Sequence, residues 1–459
     1  MLTKFHNWNN SKKIAASFIV VIFIGSLLLS LPISQLATSE AGYFQHLFHA
    51  VSMVCVTGLV ITPMYETYSI FGQTISMVLM QIGGLGLMTL VASALITFGK
   101  RMRLRERLAV QAGLNMEDAT DLKSFFLTII KYTFIIQMTG FFLLSLRFVP
   151  AFGWGKGLFT SLFLAISGFN NAGFDNLGAS SLIPYVHDPL VNLVIISLII
   201  LGGIGFSVWF DVARNTKLAL NHPVKKFSPI FFRRLSLHSR LALIMTGLLI
   251  GTGTIFFFMA EYTNPDSIGS FTFSQKWLAS FFQTVTMRTA GFATIDFTTV
   301  TSFSLFWFIL TMFIGGSPGG TAGGLKTTTF AMVVLLFYNE IRGQKNVNLL
   351  HHTISSQLIR HAVVIFTAFL LAFLFGVGIL SILNPEVDFI YLLFEGISAL
   401  ATVGVSANLT PTLETPSHIV LMFMMFAGRI GPITLMDSLI RKNERVKDVQ
   451  YSKGNILIG

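Results

Sequence analysis

The sequence predicts an all-α integral membrane protein: four parallel units, each a span, a short re-entrant helix and a second span, arranged around a central path. Three observations predict this: a composition suited to lipid, a one-sided distribution of positive charge, and a short glycine-bearing stretch that recurs four times.

Of 459 residues, 53% are hydrophobic and 11% charged, with 46 phenylalanines; the mean hydropathy is +0.72. Soluble domains carry about 25% charged residues, so lipid is the main solvent of this chain. Eight long apolar segments lie near 14–33, 70–98, 125–149, 190–212, 241–260, 303–338, 361–383 and 418–440. Each approaches or exceeds the roughly 20 residues a helix needs to cross a bilayer. Four shorter apolar stretches, near 43–56, 158–169, 277–287 and 390–401, fall between them and are too short to span. The first segment follows Lys12 and Lys13 as a signal peptide would, but its uninterrupted run over 14–31 is long for one and reads as a span.

The formal charge of +11 raises the possibility of nucleic-acid binding, and its distribution argues against it. Both termini and the even-numbered connections hold 24 of the 31 Lys and Arg; the opposite connections hold four, namely Arg147, Lys156, Lys276 and Arg288. This is the positive-inside pattern, which predicts cytoplasmic termini on a multi-pass plasma-membrane protein. The single cysteine, Cys55, excludes an internal disulfide.

The four short stretches read FHAVSMVCVTGL (48–59), FLAISGFNNAGF (163–174), FFQTVTMRTAGF (281–292) and FEGISALATVGV (394–405). Each opens with Phe ten residues before a glycine: Gly58, Gly173, Gly291 and Gly404. A second glycine mark follows each at Gly83-Gly84-Leu85-Gly86, Gly202-Gly203-Ile204-Gly205, Gly315-Gly316 and Gly428-Arg429-Ile430-Gly431. Repetition in phase is the signature of duplication, giving units 1–112, 113–222, 223–348 and 349–459. An even number of spans per unit returns the chain to its starting side, so the units are parallel about an axis along the membrane normal.

Non-helical backbone at membrane depth is tolerated only where protein buries it or it lines a watery cavity. Glycine reaches the φ > 0 conformations that aim successive carbonyls one way, and a ring of carbonyls can replace the hydration shell of a monovalent cation. The candidate ring is Val56-Thr57-Gly58, Asn171-Ala172-Gly173, Thr289-Ala290-Gly291 and Thr402-Val403-Gly404. Packing glycines between helices are the plainer reading; four in register weigh against it.

These turns, the NNAGF and RTAGF stretches, the glycine-rich third unit, a lone arginine in the last span and the tail KGNILIG together resemble the Trk, Ktr and HKT potassium transporters. The likeness, to the Ktr-type membrane subunit in particular, covers essentially the whole chain. It implies selective potassium uptake, often sodium-dependent, by a homodimer with one pore per subunit and a cytosolic ring subunit that binds nucleotide. Potassium is then substrate, held by filter carbonyls, and sodium a coupling or activating ion; no resident cofactor is implied. Glycine at all four filter positions goes with potassium selectivity in that family. One oddity is internal: Thr284-Val285-Thr286 sits a residue later in its stretch than Val51-Ser52 or Ile166-Ser167.

The third unit is interrupted by GGSPGGTAGGLKTTT (315–329). Gly315-Gly316-Ser317-Pro318-Gly319 matches a nucleophile elbow, which makes an intramembrane serine hydrolase using Ser317 the rival function. Pro318 opposes it, because the residue after the serine must donate a backbone N–H, and proline has none. A phosphate-binding loop is missed by one residue, since Leu325 precedes Lys326, and the strand context is lacking. Residues 302–340 as one helix would extend about 58 Å, nearly twice the ~30 Å hydrocarbon core. The segment therefore reads as an intramembrane gate, loop 315–324, with Gly315, Gly316, Ser317, Pro318, Gly319, Gly320, Thr321, Gly323, Gly324 and Lys326 as its candidate residues. Arg429, at mid-span in the fourth unit, must face partners, and the loop has free carbonyls to offer.

Arg288 stands beside a candidate cation filter and is expected to point behind it, toward carbonyls or toward Glu395, Asp175 or Asp296. The basic connections KRMRLRER (100–107) and KKFSPIFFRR (225–234) suit anionic lipid headgroups and a docked protein equally well.

Overall fold

The computed structural model describes residues 10–86, 122–178, 180–220 and 229–439. Helices dominate, and in chain order they fall within the four units expected from the sequence as follows. The first contributes α1 (Asn10–Leu29), α2 (Tyr43–Cys55) and α3 (Ile70–Leu85). The second contributes α4 (Leu122–Phe152), α5 (Trp154–Asn170), α6 (Pro189–Gly203) and α7 (Phe206–Leu220). The third contributes α8 (Leu237–Glu261), α9 (Phe273–Thr286), α10 (Ser302–Phe313) and α11 (Thr327–Ile341). The fourth contributes α12 (Ser356–Leu383), α13 (Phe389–Leu400), α14 (Thr415–Ile430) and α15 (Pro432–Leu439). A hairpin, β1 (Asn348–Leu349) with β2 (His352–Thr353), joins α11 to α12, and the 348/349 unit boundary falls inside it.

Helix starts in lipid need their free N–H groups satisfied, and polar caps do this. Ser69 caps α3, Asp188 accepts from Leu190 and Val191 with Pro189 opening α6, and Ser236, Thr301 and Ser355 cap α8, α10 and α12. Among the described residues α1, α4, α8 and α12 are long and apolar enough to cross a membrane unbroken.

The second span of each unit behaves differently, and here the sequence expectation is corrected. Segments 190–212 and 418–440 read as continuous spans, with a break only in the third unit. The structure bends α6 against α7 by 97°, and separates α14 from α15 at Gly431 (φ +92°). Gly205 (φ +100°) supplies the left-handed residue that turns the second-unit chain. A glycine inside an apolar run is too common to announce a break; only its φ reveals one. The α3 helix stops before Gly86 (φ +77°), and the rest of segment 70–98 lies outside the described residues.

The packing is cyclic. α3 packs on α5, α6 on α9, α10 on α13, and α14 returns to α2. Each unit's second helix thus lies against the short helix of the next unit, and the last closes on the first. Within each unit the opening helix packs on its own short helix: α1 on α2, α4 on α5, α8 on α9 and α12 on α13. The short helices carry the core, with Phe48, Phe163, Phe282 and Phe394 all fully buried.

Phe282 rather than Phe281 fills that place in the third unit, which corrects the ten-residue spacing read from the sequence. The whole of α9 is advanced one residue toward its glycine, and the offset Thr284-Val285-Thr286 is part of the same shift.

Candidate functional site

Each short helix ends where its turn begins. Two residues before each recurring glycine stands a left-handed residue: Val56, Asn171, Thr289 and Thr402, with φ between 53° and 67°. The glycines are left-handed too, at +106°, +71°, +81° and +90° for Gly58, Gly173, Gly291 and Gly404. The residue between each pair is not. This alternation turns successive peptide planes the same way and lines their polar groups up on one side.

The four turns meet. A Cβ added to Gly58 would stand 2.7 Å from the Ala172 carbonyl oxygen, and one on Gly173 would stand 2.8 Å from that of Ala290. One on Gly291 would stand 2.7 Å from the Val403 oxygen, and one on Gly404 would overlap the Thr57 oxygen. The contacts run from first turn to second, third, fourth and back to first, so the glycines close a ring. Thr57, Asn171, Ala172, Thr289, Ala290, Thr402 and Val403 are fully buried around it. The negative ends of four helix dipoles converge there as well.

Hydroxyl groups brace the turns. Ser52 accepts from the Gly58 N–H at 3.1 Å. Ser398 accepts from the Gly404 N–H at 3.1 Å and donates to the Val405 carbonyl at 2.6 Å. In the third unit Thr286 donates to the Phe292 carbonyl at 2.7 Å. Phe292 and Val405 each follow their glycine directly, so the one-residue shift of α9 is absorbed and the same brace is kept.

Arg288 does face away from the ring, but its partner differs from expectation. It is buried and donates to Thr246 on α8 at 3.3 Å. Glu395 accepts instead from Thr410, Asp175 from Ser181 and Leu177, and Asp296 from Thr298. Asp175 lies two residues beyond Gly173, and burial raises its carboxyl above the usual value while the Ser181 and Leu177 bonds hold it down.

The glycine-rich segment lies against the helix ends that feed the ring. Thr321 Oγ1 donates to the Phe169 carbonyl at 3.2 Å, at the end of α5. A Cβ on Gly323 would overlap Thr402 Oγ1 and stand 3.1 Å from the Ala401 oxygen, at the end of α13. Backbone bonds dock the loop on the α6–α7 bend: Ser317 N–H to Gly203 O at 2.9 Å, Thr321 N–H to Gly202 O at 3.1 Å, and Phe206 N–H to Gly319 O at 2.9 Å. Its two ends pair through Gly315 N–H to Leu325 O at 2.9 Å and Thr327 N–H to Gly316 O at 3.0 Å. Gly320 packs on Gly202 and Gly205, Gly324 on Gly315, and the Pro318 carbonyl faces Gly205. Close approach of backbone to backbone accounts for the glycine content.

Two cations clasp the loop. Arg429 donates to the Thr321 carbonyl, and Lys326 Nζ to the Ala322 carbonyl at 2.7 Å. Arg429 also donates to the Gly83 and Gly84 carbonyls at the end of α3, partners that sequence reasoning did not find. Gly83-Gly84 was visible as a mark, but nothing in it announced an acceptor. Ser317 Oγ pairs with Thr327 Oγ1 at 3.1 Å rather than with a histidine. Among the described residues no cluster of His, Cys, Asp and Glu could hold a metal ion.

A multi-helix membrane protein with a closed ring of carbonyl-bearing turns above a buried, cation-clasped loop belongs to the class that moves ions rather than transforms substrates. The chain belongs to the TrkH family of cation transport proteins, whose family model matches residues 2–444. It is 37% identical to Ktr system potassium uptake protein B of Bacillus subtilis, over 97% of this chain and 96% of that one. It is 36% identical to the protein of the same name from Vibrio alginolyticus (97% and 94% covered), and 34% identical to the potassium/sodium uptake protein NtpJ of Enterococcus hirae (97% and 96% covered). The crystal structure of the potassium transporter TrkH from Vibrio parahaemolyticus shares the fold, with a TM-score of 0.69 at 17% identity, covering 94% of this chain and 86% of that one. These relatives are named as transporters, not enzymes, which removes the serine-hydrolase reading of Ser317.

Proposed function

We propose that the chain takes up potassium through a selectivity filter made by the four turns, with the loop 315–324 as a gate below it. The observation that carries this is the closed cycle of glycine contacts, Gly58 to Ala172, Gly173 to Ala290, Gly291 to Val403 and Gly404 to Thr57. Left-handed φ and the absence of room for a Cβ together demand glycine, and backbone so constrained at membrane depth serves a cavity. Four span–short helix–span units about one axis supply the path. The names of the 37% and 36% identical relatives supply the ion. The cytoplasmic termini follow from the charge bias; sodium dependence, a homodimer and a cytosolic nucleotide-binding ring subunit follow from the Ktr likeness.

The test is rubidium and sodium uptake by purified protein in proteoliposomes. Gly58→Ser and Gly291→Ser each add a side chain where the ring has no space. The preference for the larger ion is expected to fall about tenfold, the effect of ~1.4 kcal/mol between ions, while the protein still inserts. An unchanged uptake ratio in both variants would remove the filter from this site.

A further inference from the structure

One place on the short helices is occupied by chemically unlike residues: the position directly after the buried phenylalanine. It holds His49, Leu164, Gln283 and Glu395 after Phe48, Phe163, Phe282 and Phe394. Three of the four reach forward to the chain leaving the ring. His49 Nε2 accepts from the Ile61 N–H at 3.2 Å and lies 3.5 Å from the Thr62 nitrogen. Gln283 Nε2 donates to Thr294 Oγ1 at 2.7 Å, and Glu395 accepts from Thr410 Oγ1. Leu164 has no polar atom to offer. In the second unit Gln73, from α3, accepts instead from Asn176 Nδ2 at 3.0 Å. Ile61, Asn176 and Thr294 all lie three residues beyond their glycines, so these three points correspond, while Thr410 lies six beyond Gly404.

We infer that His49, Gln73, Gln283 and Glu395 are positioning residues for the filter, each tethering one outgoing segment, and that His49 does so in one fixed tautomer. The inference rests on reading the ring as the filter. His49, His46 and Tyr68 are all buried. Because His49 Nε2 accepts a backbone N–H, its Nδ1 carries the proton and donates to Tyr68 Oη at 3.0 Å. The Tyr68 hydroxyl is then free to donate to His46 Nδ1, also at 3.0 Å. Tyr68 thereby locks both the ring orientation and the tautomer of the tether, as an outer partner does for a ligating histidine. Losing the acceptor leaves the half-buried Ile61 N–H without that partner, and a segment so released settles at another spacing.

The four units suggest the variants. His49→Leu copies the second unit without its substitute, and His49→Gln copies the third while putting an amide oxygen near the place of Nε2. With equal amounts of folded protein in proteoliposomes, His49→Leu is expected to lower the rubidium-over-sodium uptake ratio about tenfold, and His49→Gln to hold it within about twofold of wild type. Tyr68→Phe, which removes one oxygen, is expected to lower it two- to threefold and decides the matter if His49→Leu does not fold. Gly58→Ser, measured alongside, separates the two readings. A ratio lowered by Gly58→Ser but untouched by His49→Leu or Tyr68→Phe overturns the tether and leaves the filter. Equal losses in His49→Leu and His49→Gln overturn the acceptor role. A ratio moved by none of them removes the filter and the tether with it.

Discussion

Arg429 joins three of the four units through one side chain. Its own helix belongs to the fourth, its Thr321 acceptor to the third, and its Gly83 and Gly84 acceptors to the first. Carbonyl dipoles are its only described hydrogen-bond partners, so its charge stays uncompensated by any described ion pair. A full positive charge beneath the proposed filter would oppose cation flow, and in a low-dielectric surrounding the effect is large. Arg429→Ala is expected to raise rubidium flux several-fold with the ion preference kept, because the ring is untouched. Flux at or below wild type in a well-folded variant would show that the guanidinium is no barrier. The residue itself was legible in the sequence, since a lone charge at mid-span must have a partner inside. Its first-unit acceptors were not, because backbone carbonyls carry no residue-type signal across 345 or 346 positions. Arg288 shows the converse. Its direction was legible, but a hydroxyl on α8 serves it where carbonyls or a carboxylate were expected.

At the scale of elements, the loop 315–324 is held chiefly by backbone. Gly202, Gly203 and Gly319 take part through main-chain atoms, and Thr321, Arg429 and Lys326 add side chains. Deleting residues 317–324 removes the proposed obstruction and the clasp together. The expected result is faster rubidium efflux from loaded vesicles and weaker dependence on any cytosolic partner. Unaltered efflux kinetics would reduce the loop to a packing element. Six glycines with a proline announced this break, because such a run has no stable helical state. Gly205 and Gly431 belong to the recurring glycine marks but did not announce breaks, since glycines in an apolar helix are ordinary in membranes. The second glycine marks have a reason visible only in three dimensions. A Cβ on Gly83, Gly202 or Gly428 would overlap the carbonyl of Val54, Phe169 or Leu400, each four residues before a ring glycine. They are close-approach sites at the ends of the short helices.

At the scale of the molecule, composition and charge made the membrane class plain, and the recurring stretches indicated four equivalent positions. What the sequence withheld was adjacency, because duplication says nothing about which copies touch. The contacts supply it: α3 with α5, α6 with α9, α10 with α13, and α14 with α2. The last contact equals the others in kind, although no peptide link runs from the fourth unit back to the first. Three of the four junctions have a covalent connection and one does not, yet all are built alike. The connections are therefore expected to be dispensable to assembly, as if the chain were a tetramer whose subunits share one translation product. Fragments 1–224 and 225–459, divided in the connection between Leu220 and Pro229, are expected to complement one another when produced together. The test is copurification on a single tag and restored rubidium uptake. Fragments that insert but never associate would mean that the second junction, α6 with α9, needs its tether of chain after all.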